Sequence, residues 1–150
     1  MAIKRIDSSD KDFQDLVKFL DTDLAVRDGE DHAFYHQFNA IDMLKNCVVA
    51  YQEDKAVACG AFKPFSEDTV EIKRMYTHPE SRGKGLASKI LNDLETWARE
   101  EGYTKCILET GIKQPEAIAL YEKCGYGKIS NYGQYIGVEN SVCFEKLIQS

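Results

Sequence analysis

An α/β fold, with helices partly covering both faces of a mixed sheet, is predicted for this chain by three observations. Short strand-like runs alternate with amphipathic helical patterns from end to end. An extended run, Val70 to Tyr76, turns through two glycines into a strongly amphipathic helix. The stretch Cys106-Ile107-Leu108 has the continuous apolar character of a buried central strand. No repeat, low-complexity tract or Gly/Ser linker divides the 150 residues, so a single domain over 1–150 is expected.

Ala2–Ile6 reads as a short strand. Asp10 then caps a helix whose apolar positions Phe13, Leu16, Val17, Leu20 and Leu24 fall at helical spacing. Val26–His32 is polar, contains Gly29 and reads as a loop, and Ala33–Phe38 as a short aromatic-rich helix. Cys47–Gln52 and Lys55–Lys63 are strands joined at Glu53-Asp54, a hairpin signal. Thr69–Thr77 is the next strand, and Pro79 stops its regular continuation. Leu86, Ala87, Ile90, Leu91, Leu94, Trp97 and Ala98 form the stripe of a second long helix, ended by Gly102. After the apolar strand at Cys106, Pro115 opens another helix at a tolerated first-turn position, and Gly125 closes it. Tyr126–Ile129 and Val142–Ile148 are the last strands.

Composition narrows the function. Net charge is −6, which argues against a nucleic-acid backbone as main partner and suits a cationic or amine-bearing one. Five scattered cysteines, with no C-x-x-C and no zinc spacing, read as reduced thiols and a cytoplasmic location. There is no apolar signal core at the N-terminus and no apolar window of membrane-spanning length.

Arg82-Gly83-Lys84-Gly85-Leu86-Ala87 carries the most chemistry. A strand turning through glycines into a helix gathers unpaired backbone N–H groups at the positive end of the helix dipole, which is a recipe for holding a diphosphate. Two rival phosphate motifs fail on the letters. A Walker loop needs Ser or Thr after its lysine, whereas Lys84 is followed by Gly85. A dinucleotide motif needs Gly or Ala where Ser88 stands, near a first strand rather than past mid-chain.

From Glu71 to Ala87 the chain resembles the strand-plus-loop motif of the GNAT superfamily of N-acetyltransferases. Leu108-Glu109-Thr110-Gly111, Gln114 to Tyr121, and Cys124-Gly125-Tyr126 resemble the second half of that signature, in the right order and at the right distance. The resemblance implies a mixed, mostly antiparallel sheet flanked by helices and an enzyme that uses acetyl-CoA. It implies that Gly83, Lys84, Gly85, Leu86 and Ala87, with Arg82 at the loop entrance, hold the pyrophosphate. Main-chain groups of Met75, Tyr76 and Thr77 would meet the pantetheine arm like an added strand. Gln114 stands where many relatives carry Asn, and keeps an amide for the same arm. Tyr121 would be the general acid that protonates the leaving thiolate. Glu71 lies at the offset of a glutamate that some relatives use as general base. The alternative for Glu71 is a cross-strand ion pair with a lysine, and for Tyr121 simple packing in the apolar stripe. Strand alternation sends Glu71, Lys73, Met75 and Thr77 to one face and Ile72, Arg74 and Tyr76 to the other.

In such folds the region after the first helix lines the acceptor site, so Glu30, Asp31, Tyr35, His36 and Asn39 are candidates for acceptor recognition. Tyr135, between the last two strands, is a further candidate for covering that pocket. His32 and His36 stand at i, i+4, but lack a Glu between them in the required pattern and a further ligand, so no metal is expected. Cys124 has no base beside it in sequence apart from Lys123, and Cys106 and Cys124 both read as packing residues, so direct transfer in a ternary complex is expected over an acyl-cysteine. The expectation is therefore acetyl transfer to a primary amine of a small molecule, amino acid or peptide. The alternative is a non-catalytic CoA-binding or sensor module on the same fold. Related domains often pair, which makes a homodimer a further expectation.

Overall fold

The computed structural model describes residues 2–28 and 43–148, with backbone alone over 24–28. The elements run β1 (Ala2–Ile6), α1 (Lys11–Asp28), β2 (Asn46–Gln52), β3 (Lys55–Pro64), β4 (Thr69–Thr77), α2 (Leu86–Glu100), β5 (Lys105–Gly111), α3 (Pro115–Lys123), β6 (Gly127–Ile129) and β7 (Ser141–Leu147). Short 3-10 turns cover Pro79–Ser81 and Gly133–Tyr135. The expected helix Ala33–Phe38 lies outside the described residues.

Local chemistry accounts for most boundaries. The Asp10 carboxylate accepts the Phe13 N–H at 3.0 Å and so caps α1. This helix runs on to Asp28, through residues that the sequence assigned to a loop. Nothing between Leu24 and Asp28 breaks a helix, and Gly29 is the first poor helix former. Glu53 and Asp54 both adopt positive φ, 51° and 66°, the geometry that a tight two-residue hairpin needs.

The seven strands form one sheet in the order β1-β2-β3-β4-β5-β7-β6. Every pairing is antiparallel except β4 with β5. α1 covers one face, burying Phe13, Leu16 and Val17 against Cys47, Val49, Cys59 and Ala61. α2 and α3 share the opposite face, where Ile90, Leu91 and Leu94 meet Val48, Phe62, Val70 and Leu108. Each of these three α2 side chains is fully buried, worth about 1.5–3 kcal/mol of apolar transfer. A small third cluster sets Tyr135 against Cys143, beside α1's face.

Two irregularities in β4 shape everything functional. Arg74 has φ 60°, and the β3 register jumps from Cys59↔Tyr76 to Ala61↔Lys73, so Arg74 and Met75 together oppose Gly60. This is a β-bulge, and it shifts the side-chain phase. The simple alternation expected along β4 therefore fails. Lys73 opposes Ala61 of the α1 face, yet Arg74 also reaches α1, pairing with Asp21 at 3.0 Å. Met75 turns to the other face, where its Sδ would lie 2.6 Å from a Cβ placed on Gly60. The second irregularity is a splay. β4 pairs with β5 only from Thr69 to Glu71, and from Ile72 onward its edge has no partner in β5.

Candidate active site

The β4–α2 turn is built from two left-handed glycines, Gly83 at φ 81° and Gly85 at φ 76°. L side chains disfavour this conformation, so glycine is needed at both positions. A Cβ added at either would meet nothing within 4 Å, so the loop surface is open. Gly85 is the N-cap of α2 and no side chain caps that helix. Its first-turn N–H groups are thus available to an anion. Arg82 crosses the loop entrance, its Nε donating to the Thr77 carbonyl at 3.0 Å and its guanidinium lying 5.9 Å from the Tyr76 ring centre.

A groove of about 390 Å³ runs from this turn toward the splay. Ten of the sequence-predicted residues line it: Met75, Tyr76, Thr77, Arg82, Gly83, Gly85, Leu86, Ala87, Gln114 and Tyr121. Lys84 points elsewhere and lines a separate depression with Glu53 and Glu80. Gln114 precedes α3 but its amide does not cap the helix. The groove's anion-ready end and the unpaired β4 edge along it suit a diphosphate carrying an amide-containing arm.

A second cavity of about 110 Å³ lies on the far side of the splay, over the α1 face. Glu71, Lys73, Arg74, Glu109 and Tyr135 line it. The two spaces share Leu20, Met75, Gln114, Ala117 and Tyr121, so Tyr121 stands where they join. Its ring is fixed edge-on to Tyr126 at 5.9 Å between centres, and leans on Phe144 at 6.3 Å. Burial, then the nearby Glu109 carboxylate and Cys124, push the Tyr121 hydroxyl above its ordinary value. It is a neutral phenol at physiological pH.

Glu71 is 3% exposed and well partnered. Tyr132 Oη donates to its Oε2 at 2.7 Å. Lys73 and Lys63 lie 3.7 and 3.9 Å from its Oε1, Lys63 directly across the β3–β4 ladder. The cross-strand ion pair anticipated as the alternative is therefore present, in the same cavity as Tyr121. Burial pulls Lys73 below the ordinary lysine value, opposed by Glu71, and burial likewise lowers Arg74 against Asp21. Burial raises Tyr135, helped by Glu109 and Glu71.

Glu30, Asp31, Tyr35, His36 and Asn39 lie outside the described residues. Three charged residues of the cavity are not among the sequence-predicted site residues: Lys73, Arg74 and Glu109. A signal existed for each. Three charges within Glu71-Ile72-Lys73-Arg74, and one after Cys106-Ile107-Leu108, are out of place in buried central strands.

A sheet splayed beside a bulge, with a glycine turn feeding a helix at one end of the groove, defines an acyl-CoA-binding fold. The chain matches the Acetyltransferase (GNAT) family over residues 13–126, and it belongs to that family. A Klebsiella pneumoniae protein assigned as an acyl-CoA N-acyltransferase superposes with a TM-score of 0.83 and 30% identity, over 99% of this chain and 97% of that one. YncA from Salmonella typhimurium, assigned as an acetyltransferase and solved with its cofactor acetyl-CoA, shares the fold at TM-score 0.69 and 18% identity, over 100% of this chain and 95% of that one. By sequence, the uncharacterized N-acetyltransferase YjgM of Escherichia coli K12 is 42% identical over 85 residues, 55% of this chain and 50% of that protein. The IAA acetyltransferase of Azospirillum brasilense is 36% identical over 89 residues, 59% of this chain and 58% of that protein. The matches thus span about half the length of these two relatives. The family's cofactor is acetyl-CoA, and no described helix is long and apolar enough to cross a membrane.

Proposed function

We propose that this chain transfers the acetyl group of acetyl-CoA to a primary amine, directly, in a ternary complex. The observation that carries this reading is the place of Tyr121, at the junction between the groove and the charged cavity. The turn at Gly83–Ala87 and Arg82 would hold the diphosphate, and the open β4 edge at Met75–Thr77 with the Gln114 amide would hold the pantetheine arm. When bound, acetyl-CoA supplies an acetyl group activated as a thioester; its transfer to nitrogen frees one proton at the nitrogen and requires one at the departing sulfur. Glu71 accepts the first, through water, from an amine seated in the cavity. Tyr121, whose phenol stands at the junction of the two spaces, provides the second and is reprotonated from solvent.

Tyr121→Phe removes the donor and keeps the ring packing. Turnover is expected to fall by about 10²–10⁴-fold with little change in KM for acetyl-CoA. Equal losses in both, or none in either, reject the assigned role.

A further inference from the structure

We infer that Tyr132 is a positioning residue for the transfer: its hydroxyl holds the Glu71 carboxylate in the direction that reaches the amine. This rests on the reading of Glu71 as the base and deepens it. Among the described residues around that carboxylate, Tyr132 stands at full hydrogen-bond distance, its Oη donating to Oε2 at 2.7 Å. Lys73 and Lys63 lie 3.7 and 3.9 Å from Oε1, near enough to supply charge but too far to fix a direction. A carboxylate has about four lone-pair sites, so the tyrosine takes one and leaves others for water or amine. Burial, then the Glu71 carboxylate, push the Tyr132 phenol above its ordinary value, so the tyrosine is the donor in this bond.

Tyr132 is itself held. Its ring is edge-on to Phe65 at 5.2 Å between centres, and to Tyr135 at 5.8 Å. The segment that carries it is braced. The Asn131 side-chain amide donates to the carbonyls of Tyr135 at 3.1 Å and Val138 at 2.9 Å, and the Tyr135 N–H donates to the Tyr132 carbonyl at 2.9 Å. An arm between β6 and β7 thus brings two tyrosines to the cavity. Tyr135 forms part of its wall, and Tyr132 grips the base from 61 residues away in sequence. Any donor could satisfy a buried carboxylate. A donor fixed between two rings on a braced loop also gives it an orientation, and proton transfer through one water depends on that.

The test compares Tyr132→Phe, Glu71→Gln and the double variant. The amine is whichever of the common amino acids, ethylamine, benzylamine, putrescine and triglycine releases thiol fastest from acetyl-CoA with the parent protein. Tyr132→Phe keeps the ring packing and should lower kcat/KM for that amine by about 10–100-fold, with the KM for acetyl-CoA unchanged. In the Glu71→Gln background the same change should cost less than about twofold, because the group it aims is gone. An equal cost in both backgrounds makes Tyr132 a merely structural residue and overturns the inference. A Glu71→Gln loss with Tyr132→Phe fully active overturns the inference alone and leaves Glu71 as base. Full activity of Glu71→Gln overturns the base reading and the inference together, as does a lack of thiol release with every amine. Should Tyr132→Phe fail to fold, Phe65→Ala decides: it loosens the ring and touches neither partner of the bond. A lower kcat/KM for the amine at unchanged KM for acetyl-CoA supports the inference, and parental kinetics overturn it.

Discussion

Replacing Gly85 by alanine separates the anion site from the fold that carries it. Gly85 sits at φ 76°, and holding an L residue there costs about 1–2 kcal/mol. A new Cβ meets no atom within 4 Å, so no clash adds to that figure. For a domain of this size each kcal/mol moves Tm by about 2–4 °C, which gives a loss of about 2–8 °C for Gly85→Ala. Gly102 supplies the control. It is also left-handed, at φ 95°, and its added Cβ is equally free. It lies past the other end of the fifteen-residue α2, about 22 Å along the helix axis from Gly85. Gly102→Ala should therefore lower Tm by a similar amount and leave acetyl-CoA affinity alone. Gly85→Ala should also weaken acetyl-CoA binding by tenfold or more, because its Cβ stands on the loop surface that faces the groove and misdirects the N–H groups. Thermal unfolding and isothermal calorimetry on both variants provide the comparison. Equal affinity in the two proteins would refute the placement of the diphosphate.

Three further outcomes follow from packing and burial. Gly60→Ala brings a Cβ to 2.6 Å from Met75 Sδ and 2.7 Å from Ile90 Cγ2, so thermal denaturation should report a loss of about 1–3 kcal/mol; an unchanged Tm would mean that α2 is not seated against β3 as described. Tyr126→Phe deprives buried Glu95 of a 2.9 Å hydrogen bond while Lys146 stays at 2.8 Å, and should lower stability in urea by about 1–3 kcal/mol, where no shift would contradict the network. Burial pushes the Cys47 and Cys106 thiols up to about 12 and Cys143 to about 11, leaving little thiolate at pH 8, and Cys59 is wholly buried. Iodoacetamide at that pH should thus add to half-buried Cys124 alone, and Cys124→Ser should abolish labelling yet retain turnover; a second adduct in the native protein, or lost turnover, would argue against buried, idle thiols.

The sequence is legible where one local rule acts alone. Asp10, the Glu53-Asp54 turn, Pro115 and the two loop glycines each impose a backbone geometry, and each stands where their chemistry placed it. Helical stripes likewise located α2 and α3. The end of α1 departs from the sequence expectation because polarity suggests a loop over Val26–Asp28, although polar residues propagate a helix readily when no breaker intervenes. The bulge was illegible for a different reason. Arg74 gives no local sign of a positive φ; the close seat of Met75, Ile90 and Leu94 around Gly60, three segments distant in sequence, accompanies it. With the phase of β4 shifted, Lys73 and Arg74 both enter the α1 side, and the charged cavity escapes a period-two reading. Glu109 escaped because only the sheet order brings β5 beside Glu71.

Acetyl-CoA lying with its diphosphate on the front of α2 is what every other step here presupposes. Backbone amide spectra of isotope-labelled protein, recorded while acetyl-CoA is added, address this directly. Saturable shifts centred on Gly83 to Ser88, continuing through Met75 to Thr77 and reaching Gln114, are the predicted result. Absence of saturable change, or shifts confined to other parts of the sheet, would contradict it.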